Sequence, residues 1–193
     1  MAKWPNVPHC YGWLGLDARG NWYMRDDRAQ AAGPFQASLG GNLVSRGSLL
    51  KHEKLIDFIG RNYASDDAGQ WFFQNGPQRV YLELEVTPWV WRLSSSLPRS
   101  SEHVAGSTGS VQPITVHAHT GQAVQVKRCL LDERGRLYLA TELGLGLVHT
   151  QDMELAANAV DGGQWQLEDV LSTTLPSTYG YEISPVVKNR TNN

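Results

Sequence analysis

The sequence predicts an α+β fold with two small β-rich lobes, built from antiparallel hairpins and one main helix. Three observations support this class. One amphipathic stretch has helical spacing, several segments alternate apolar and polar residues as strands do, and a short turn motif recurs between such segments. With 193 residues, the chain is long enough for one large core or two small ones.

The recurring motif, Asp-x-x-Gly-x followed by a large apolar and an aromatic residue, begins at Asp17, Asp66 and Asp132. Aspartate opens a turn by accepting hydrogen bonds from its own downstream backbone, and glycine supplies the residue with positive φ. We interpret each copy as a hairpin corner, with a shorter echo at Asp161. The uneven spacing favours repeated hairpins in two lobes, as a duplication would leave them, over a solenoid.

Between residues 28 and 47 the chain is rich in alanine, glycine and serine, which predicts a loop. The next stretch has helical spacing, and either Ser48 or His52 can cap its beginning. Its apolar stripe comprises Leu49, Leu55 or Ile56, Ile59 and Tyr63. We predict that this stretch is the main helix.

A hairpin follows the predicted helix. Residues 71–74 form its first strand, Asn75-Gly76 its turn, and residues 78–86 its second strand, in which apolar and polar residues alternate. Pro77 cannot donate a hydrogen bond to a neighbouring strand, so the second strand is expected to begin after it. A further strand is predicted from Trp89.

A stretch rich in serine, glycine and proline at residues 94–113 predicts a linker or long loop. We place an N-terminal α+β lobe at residues 1–93 and a C-terminal β-rich lobe at 114–184. The tail, residues 185–193, is predicted to be disordered.

The C-terminal lobe contains four segments with strand-like alternation, at residues 114–119, 123–131, 137–141 and 143–149. Short helices are predicted at residues 151–160 and 164–171. Gly144 and Gly146 share one strand face and leave space there, most readily for a packed side chain or backbone.

Composition restricts the function. Hydrophobic residues make up 41% of the chain and charged residues 19%, and the formal net charge is −2, so neither global disorder nor non-specific nucleic-acid binding is expected. No segment approaches the roughly 20 apolar residues that span a bilayer. The N-terminus lacks the apolar core of a signal peptide, and the two cysteines are too few for a disulfide framework. We expect a cytoplasmic protein without membrane attachment.

Motifs of the main enzyme classes are missing from the sequence. It contains no Gly-rich phosphate loop, no dinucleotide fingerprint, no nucleophile elbow and no His-Glu-x-x-His zinc motif. The sequence therefore identifies no catalytic residue and no cofactor, and it favours a protein without catalytic activity.

The predicted hairpin carries the strongest candidate binding site. Arginine offers a planar fork of donors to phosphate or carboxylate, and aromatic side chains offer a stacking surface for a ring. We expect a small anionic, nucleotide-like ligand, with Arg79 on the anion. The candidate ligand-binding residues are Arg79, Gln78, Asn75, Tyr81, Arg61, Trp71 and Trp89.

A structural interpretation of these residues is also open. In this interpretation Asn75-Gly76 is a hairpin turn without a role in binding. Arg79 can pair with Glu83 or Glu85 along one strand face, and tryptophans are good core residues.

Two other functions stay open. Exposed strand edges or an aromatic patch could bind a partner protein, which would make the chain an interaction adaptor. His117 and His119 lie two residues apart on a predicted strand, so both imidazoles point to one face. With a third ligand from His149, His103 or Cys129, they could hold the metal ion of a metal-dependent enzyme.

Several of these motifs together resemble a bacterial family of unknown function. They are the corners at Asp17 and Asp132, the segment Leu55–Tyr63, the hairpin Trp71–Tyr81, Thr87-Pro-Trp89 and the late segment Tyr179–Pro185. The layout is similar to a second uncharacterised bacterial family with a duplicated two-lobed core. That resemblance implies a C-terminal lobe like a pleckstrin-homology fold, a partly open barrel. It also implies a nucleotide-type ligand at the lobe interface and a signalling role.

Overall fold

A computed structural model of the protein describes residues 7–95 and 113–185. Within these residues the chain forms two compact units, one made of residues 7–88 and 175–185 and the other of residues 89–174. The first unit is therefore discontinuous in sequence. The sequence had suggested a boundary within 94–113, of which 96–112 lie outside the described residues, as do residues 186–193 of the predicted tail.

The first unit contains a six-stranded sheet with the order β3-β2-β1-β6-β5-β4. Strands β1 and β6 run parallel, and every other neighbouring pair is antiparallel. The strands are β1 Cys10–Leu16, β2 Trp22–Met24, β3 Ser48–Leu49, β4 Tyr63–Ser65, β5 Trp71–Asn75 and β6 Gln78–Leu84.

Three helices of the first unit follow capping residues. Helix α1 is Asp27–Ala31, α2 is Leu43–Arg46 and α3 is Glu53–Arg61. Their N-caps Asp26, Asn42 and His52 each accept a backbone N–H of the first turn. The main helix is confirmed with His52 as its cap, but it is shorter than predicted, because Leu49 and Tyr63 lie on β3 and β4. The predicted loop over residues 28–47 is wrong in part, because it contains α2 and most of α1.

The second unit contains a seven-stranded sheet with the order β13-β10-β11-β12-β7-β8-β9. Its helix α4, Met153–Asp161, follows β12. The strands are β7 Trp89–Ser95, β8 Ile114–Ala118, β9 Ala123–Val124, β10 Val126–Asp132, β11 Leu137–Thr141, β12 Gly144–Val148 and β13 Leu167–Val170. Strands β7 and β12 are parallel, as are β10 and β13.

Helix α5, Leu175–Tyr179, returns the chain to the first unit. The segment after it completes that unit's hydrogen bonding. Glu182 N donates to Gly69 O at 2.9 Å, and Leu84 N at the end of β6 donates to Ile183 O at 2.8 Å. Ile183 O also accepts from the buried side chain of Gln36.

The two sheets repeat one arrangement of six strands. The order β3-β2-β1-β6-β5-β4 in the first unit corresponds to β9-β8-β7-β12-β11-β10 in the second, where β13 is added beyond β10. The directions of all corresponding pairs match. A two-residue turn joins β5 to β6 in the first unit and β11 to β12 in the second, with Asn75 paired with Gln78 and Thr141 with Gly144. The α+β class with two β-rich parts is confirmed.

The three aspartate corners are confirmed as turns between antiparallel strands. They join β1 to β2, β4 to β5 and β10 to β11. In each turn one carboxylate oxygen accepts the backbone N–H groups two and four residues downstream, and the glycine has a positive φ. The echo at Asp161 is not a hairpin corner, because Gly162 ends helix α4 there.

Three local predictions need correction. The hairpin turn is Gly76-Pro77 rather than Asn75-Gly76, because Asn75 still pairs with Gln78; Gly76 has a φ of 56°. The helix predicted at 164–171 is strand β13. The strand predicted at 123–131 is divided into β9 and β10.

Gly146 is explained by packing in the second unit. A Cβ at this position would lie 2.5 Å from Trp91 and 2.7 Å from the Cβ of Trp89. Both tryptophans are buried, with their rings 5.9 Å apart. The space beside this glycine is therefore filled by tryptophan side chains.

The sheet of the second unit is open, because no described strand joins β13 to β9. The pleckstrin-homology likeness implied by the resemblance stays a prediction. Among the described residues, every helix is too short or too polar to cross a lipid bilayer.

Candidate functional site

Arg79 lies on β6 with its guanidinium over the ring of Phe72, at 4.4 Å from the ring centroid. Phe72 is on the neighbouring strand β5, directly opposite Tyr81. Because strand residues two apart share a face, Arg79 and Tyr81 stand on the same side of the sheet. Arg79 forms no ion pair with any described residue, and its side chain is half-buried.

Tyr81 is the centre of an aromatic group beside Arg79. Its ring stacks on Tyr11 with a centroid distance of 4.6 Å and an interplanar angle of 1°. The ring of His9 meets it edge-on at 5.8 Å. These neighbours come from the N-terminal segment because β1 runs parallel to β6.

The Tyr81 hydroxyl donates to Oδ2 of Asp66 at 3.1 Å. Burial raises the pKa of this phenol, Arg79 lowers it, and the bond to Asp66 raises it again; the net direction is upward. Tyr81 therefore stays a neutral donor near pH 7, and the charge on Arg79 is left for another partner.

Two hydrogen bonds fix the N-terminal segment beside β6. Gln78 Nε2 donates to the carbonyl of Pro8 at 2.8 Å, and the backbone N of Arg79 donates to Nδ1 of His9 at 3.3 Å. Gln78 thus has a structural contact, and the exposed imidazole of His9 is held close to Arg79.

We call this group of residues the Arg79 face: Arg79, Tyr81, Phe72, Tyr11, His9 and Asp66. It presents a guanidinium fork, an imidazole and aromatic rings. A guanidinium held flat on a ring can still direct its N–H groups at a carboxylate or phosphate. The arrangement is suited to binding a carboxylate or phosphate group.

The acidic partners that the structural interpretation assigned to Arg79 have other contacts. Glu83 is buried and accepts from Nε2 of Gln36 at 3.1 Å. Glu85 pairs with Arg46 at 2.7 Å. Both glutamates therefore have partners within the first unit, whereas Arg79 forms no ion pair with a described residue.

The repeated arrangement of strands gives an internal comparison for Arg79. Counting from the matching turns, Arg79 and Tyr81 correspond to Leu145 and Leu147 in the second unit. Both leucines are buried. The strand arrangement is therefore compatible with apolar residues at these positions, and it does not require an arginine there.

The other predicted ligand residues of the first unit do not join this face. Asn75 is exposed at the end of β5. Trp71 lies on the opposite side of β5 from Phe72, with its ring 4.7 Å from Tyr63. Arg61 ends α3, whose Phe58 contacts Phe73 on that opposite side.

Trp89 belongs to the second unit and is a core residue. It is buried, its Nε1 donates to Leu143 O at 2.9 Å, and its ring stacks on Trp91. The predicted role of Trp89 as a wall beside Arg79 is therefore left without support. Sequence reasoning missed Tyr11 and His9, because the pairing of β1 with β6 joins residues about 70 apart in the chain. It missed Phe72, because the register of the β5–β6 hairpin decides which residue lies opposite Tyr81.

The two histidines of the metal-site hypothesis, His117 and His119, have different surroundings. Nδ1 of His119 accepts from Val90 N at 3.3 Å, and its ring lies 5.7 Å from that of Trp89. His117 is paired with Arg92 across β7 and β8. Within residues 7–95 and 113–185, no group of three or more His, Cys, Asp or Glu side chains is arranged to hold a metal ion. His103 lies outside these residues.

Comparison with known proteins finds two solved structures that are similar to this chain. No curated protein matches the chain. A DUF1285 family protein from Silicibacter pomeroyi DSS-3 is 11% identical with a TM-score of 0.47, over 78% of this chain and 71% of that chain. A DUF1285 family protein from Shewanella baltica OS155 is 15% identical with a TM-score of 0.45, over 76% of this chain and 91% of that chain.

The resemblance to a bacterial family of unknown function is confirmed along nearly the whole chain. Residues 1–186 match the family DUF2944, whose description is "Protein of unknown function (DUF2946)". The chain therefore belongs to this family.

Proposed function

We propose that the protein binds a small anionic ligand with a flat ring at the Arg79 face and acts as a cytoplasmic regulatory protein rather than an enzyme. Arg79 contacts the anion, and His9 and Tyr11 contact the ring. A nucleotide-like molecule has both chemical parts. Trp89 and Trp71 have no role in this proposal.

One observation carries the proposal. The Arg79 guanidinium rests on Phe72 at 4.4 Å, next to a tyrosine pair, and no described carboxylate neutralises it. A positive charge that is partly desolvated by aromatic rings interacts more strongly with an anion than a fully hydrated one does. The leucines at the corresponding positions of the second unit indicate that the strand arrangement alone does not demand this charge.

The experiment is a thermal-shift titration with inorganic phosphate, nucleoside monophosphates and aromatic carboxylates. A ligand that binds only the folded protein raises its stability by about 2.7 kcal/mol at 100 times its Kd. We expect saturable stabilisation by at least one ring-containing anion. Affinity is expected to fall about 10- to 100-fold in Arg79→Ala, because a hydrogen bond to a charged group contributes about 1.5–3 kcal/mol.

Arg61→Ala is the matched control, since it removes an exposed arginine from the first unit on the opposite side of the sheet. It should leave the titration unchanged. The proposal fails if no anion stabilises the wild-type protein, or if both arginine variants weaken binding equally.

A further inference from the structure

Strand β13 forms one edge of the sheet in the second unit. Its residues Leu167–Val170 pair in parallel with Cys129–Asp132 of β10, and no other described strand pairs with them. In a parallel pair, every second residue directs its N–H and C=O groups away from the neighbouring strand. Backbone donors and acceptors therefore remain along the outer side of β13.

The β13 edge carries exposed leucines beside its two acidic residues, Glu168 and Asp169. Leu167 is 40% exposed and Leu171, just after the strand, is 59% exposed. Natural edge strands are commonly protected by charged side chains, lysine above all, by proline or by a bulge. The sequence Leu-Glu-Asp-Val contains neither lysine nor proline.

A cavity of about 350 Å³ lies where β10 and β13 end. Its lining consists of Leu131, Asp132, Glu133, Asp169, Val170 and Leu171. The segment after β13 is held against the β10–β11 turn, because Ser172 N donates to Glu133 at 2.8 Å. The cavity is thus a fixed feature at one end of the edge strand, with apolar and acidic walls.

Asp169 is the carboxylate in this cavity that has no partner among the described residues. Asp132 is paired with Arg136 and is bonded within its own turn, and Glu133 accepts from Ser172. Asp169 is exposed, and its carboxylate forms neither a hydrogen bond nor an ion pair with a described residue. A lysine or arginine beside it would complete the local charge balance.

We propose that the β13 edge, defined as residues 167–171 with the adjoining cavity, binds an extended segment of a partner protein. The segment adds a strand to the sheet through backbone hydrogen bonds. One of its apolar side chains contacts Leu167 or Leu171, and a basic side chain pairs with Asp169. This interaction is independent of the Arg79 face.

The test uses a synthetic peptide labelled at its N-terminus, fluorescein-Val-Thr-Lys-Thr-Val-Thr-Lys-amide, whose valines and lysines share one strand face, and fluorescence anisotropy on the full chain. We expect saturable binding to the wild-type protein and a loss of at least about tenfold in Asp169→Lys. Asp161→Lys makes the same change of charge at the exposed last residue of α4 and is the matched control. It should bind the peptide like the wild type.

Two altered peptides separate strand addition from attraction between charges. Glutamate in place of both lysines should abolish binding to the wild type and restore it to Asp169→Lys. Methylation of alternate backbone nitrogens should abolish binding although the charge is kept, because it removes the hydrogen-bond donors of an added strand.

Three outcomes overturn the proposal: no saturable binding, equal loss in the two lysine variants, or equal binding of the methylated peptide. Sedimentation of the protein alone completes the test. Self-association that Asp169→Lys abolishes would assign the edge to a second copy of the chain and would overturn the partner-protein proposal.

Discussion

Arg46 on helix α2 donates to both carboxylate oxygens of Glu85, which follows strand β6, at 2.7 and 3.2 Å. Its guanidinium also lies 4.9 Å from the ring of Tyr23 and 5.4 Å from that of Phe35. The backbone N of Ala18 donates to the same carboxylate at 2.8 Å. This pair therefore joins a helix, a turn and a strand end of the first unit.

Arg46→Lys should destabilise the protein by about 1–2 kcal/mol, because an ammonium group cannot form the two-pronged bond or lie flat on the rings. Urea unfolding measures the change. Arg128→Lys is the control, since the Arg128–Glu168 pair is much more exposed and its loss should cost about 0–0.5 kcal/mol. Equal effects in the two variants would contradict the role assigned to the Arg46–Glu85 pair.

Asp132→Asn should cost about 1.5–3 kcal/mol of stability. The carboxylate accepts from the side chain of Arg136 at 2.8 Å and from the hydroxyl of Tyr138 at 2.9 Å, and an amide nitrogen there would face two donors. Asp66→Asn is the comparison, because Asp66 accepts from one side-chain hydroxyl, that of Tyr81. It should cost less in the same urea assay.

The same carboxylate should make stability depend on pH. Burial opposes ionisation of Asp132, but the bonds from Arg136 and Tyr138 outweigh it and hold its pKa below the ordinary value. Its contribution is present above the unfolded-state pKa of about 3.9 and is lost as the pH falls through the folded-state pKa. Urea unfolding between pH 3 and 7 should show a flatter acid limb for Asp132→Asn than for the wild type.

Gly15→Ala should destabilise the first unit by about 1–3 kcal/mol, because a Cβ on Gly15 would lie 2.5 Å from the ring of Phe35. All three nearest atoms belong to that ring. The double variant Gly15→Ala, Phe35→Leu should therefore lose less stability than the sum of the single variants. Strict additivity in urea unfolding would argue against the clash.

The two cysteines should differ in reactivity toward iodoacetamide at pH 8. Cys129 is buried, and burial raises the pKa of its thiol to about 11, so little reactive thiolate forms. Cys10 is partly exposed. Mass spectrometry should show one modification in the native protein and two in denaturant, with Cys10 as the native site. Prompt modification of Cys129 in the native protein would contradict its burial.

Local features of the fold could be predicted from the sequence. The aspartate corners depend on bonds from a side chain to the backbone two and four residues away, so the motif contains all the required groups. Short helices were harder to predict. Helix α2, for example, is stabilised by reciprocal hydrogen bonds between its cap Asn42 and Ser45, and it has no apolar stripe that its sequence pattern could reveal.

Non-local pairings could not be predicted. The pairing of β1 with β6 places Tyr11 and His9 beside Tyr81, and nothing in the sequence near Tyr81 indicates that contact. Arg79 and Tyr81 were correctly predicted to share a strand face from local alternation. Trp71 was expected beside them but lies on the other face, because residues 71 and 72 of one strand alternate sides.

The hydrogen bonds that Ile183 accepts from Leu84 and Gln36 also affect the order in which the two units can fold during synthesis. When β6 leaves the ribosome, about 100 residues still have to be made before its end can find this partner, because Ile183 follows the whole second unit. The second unit is encoded in one continuous stretch and can fold first. During translation, the first unit therefore cannot complete its hydrogen bonding until Ile183 has been made. Until then the end of strand β6 is accessible to chaperones or to incorrect pairing.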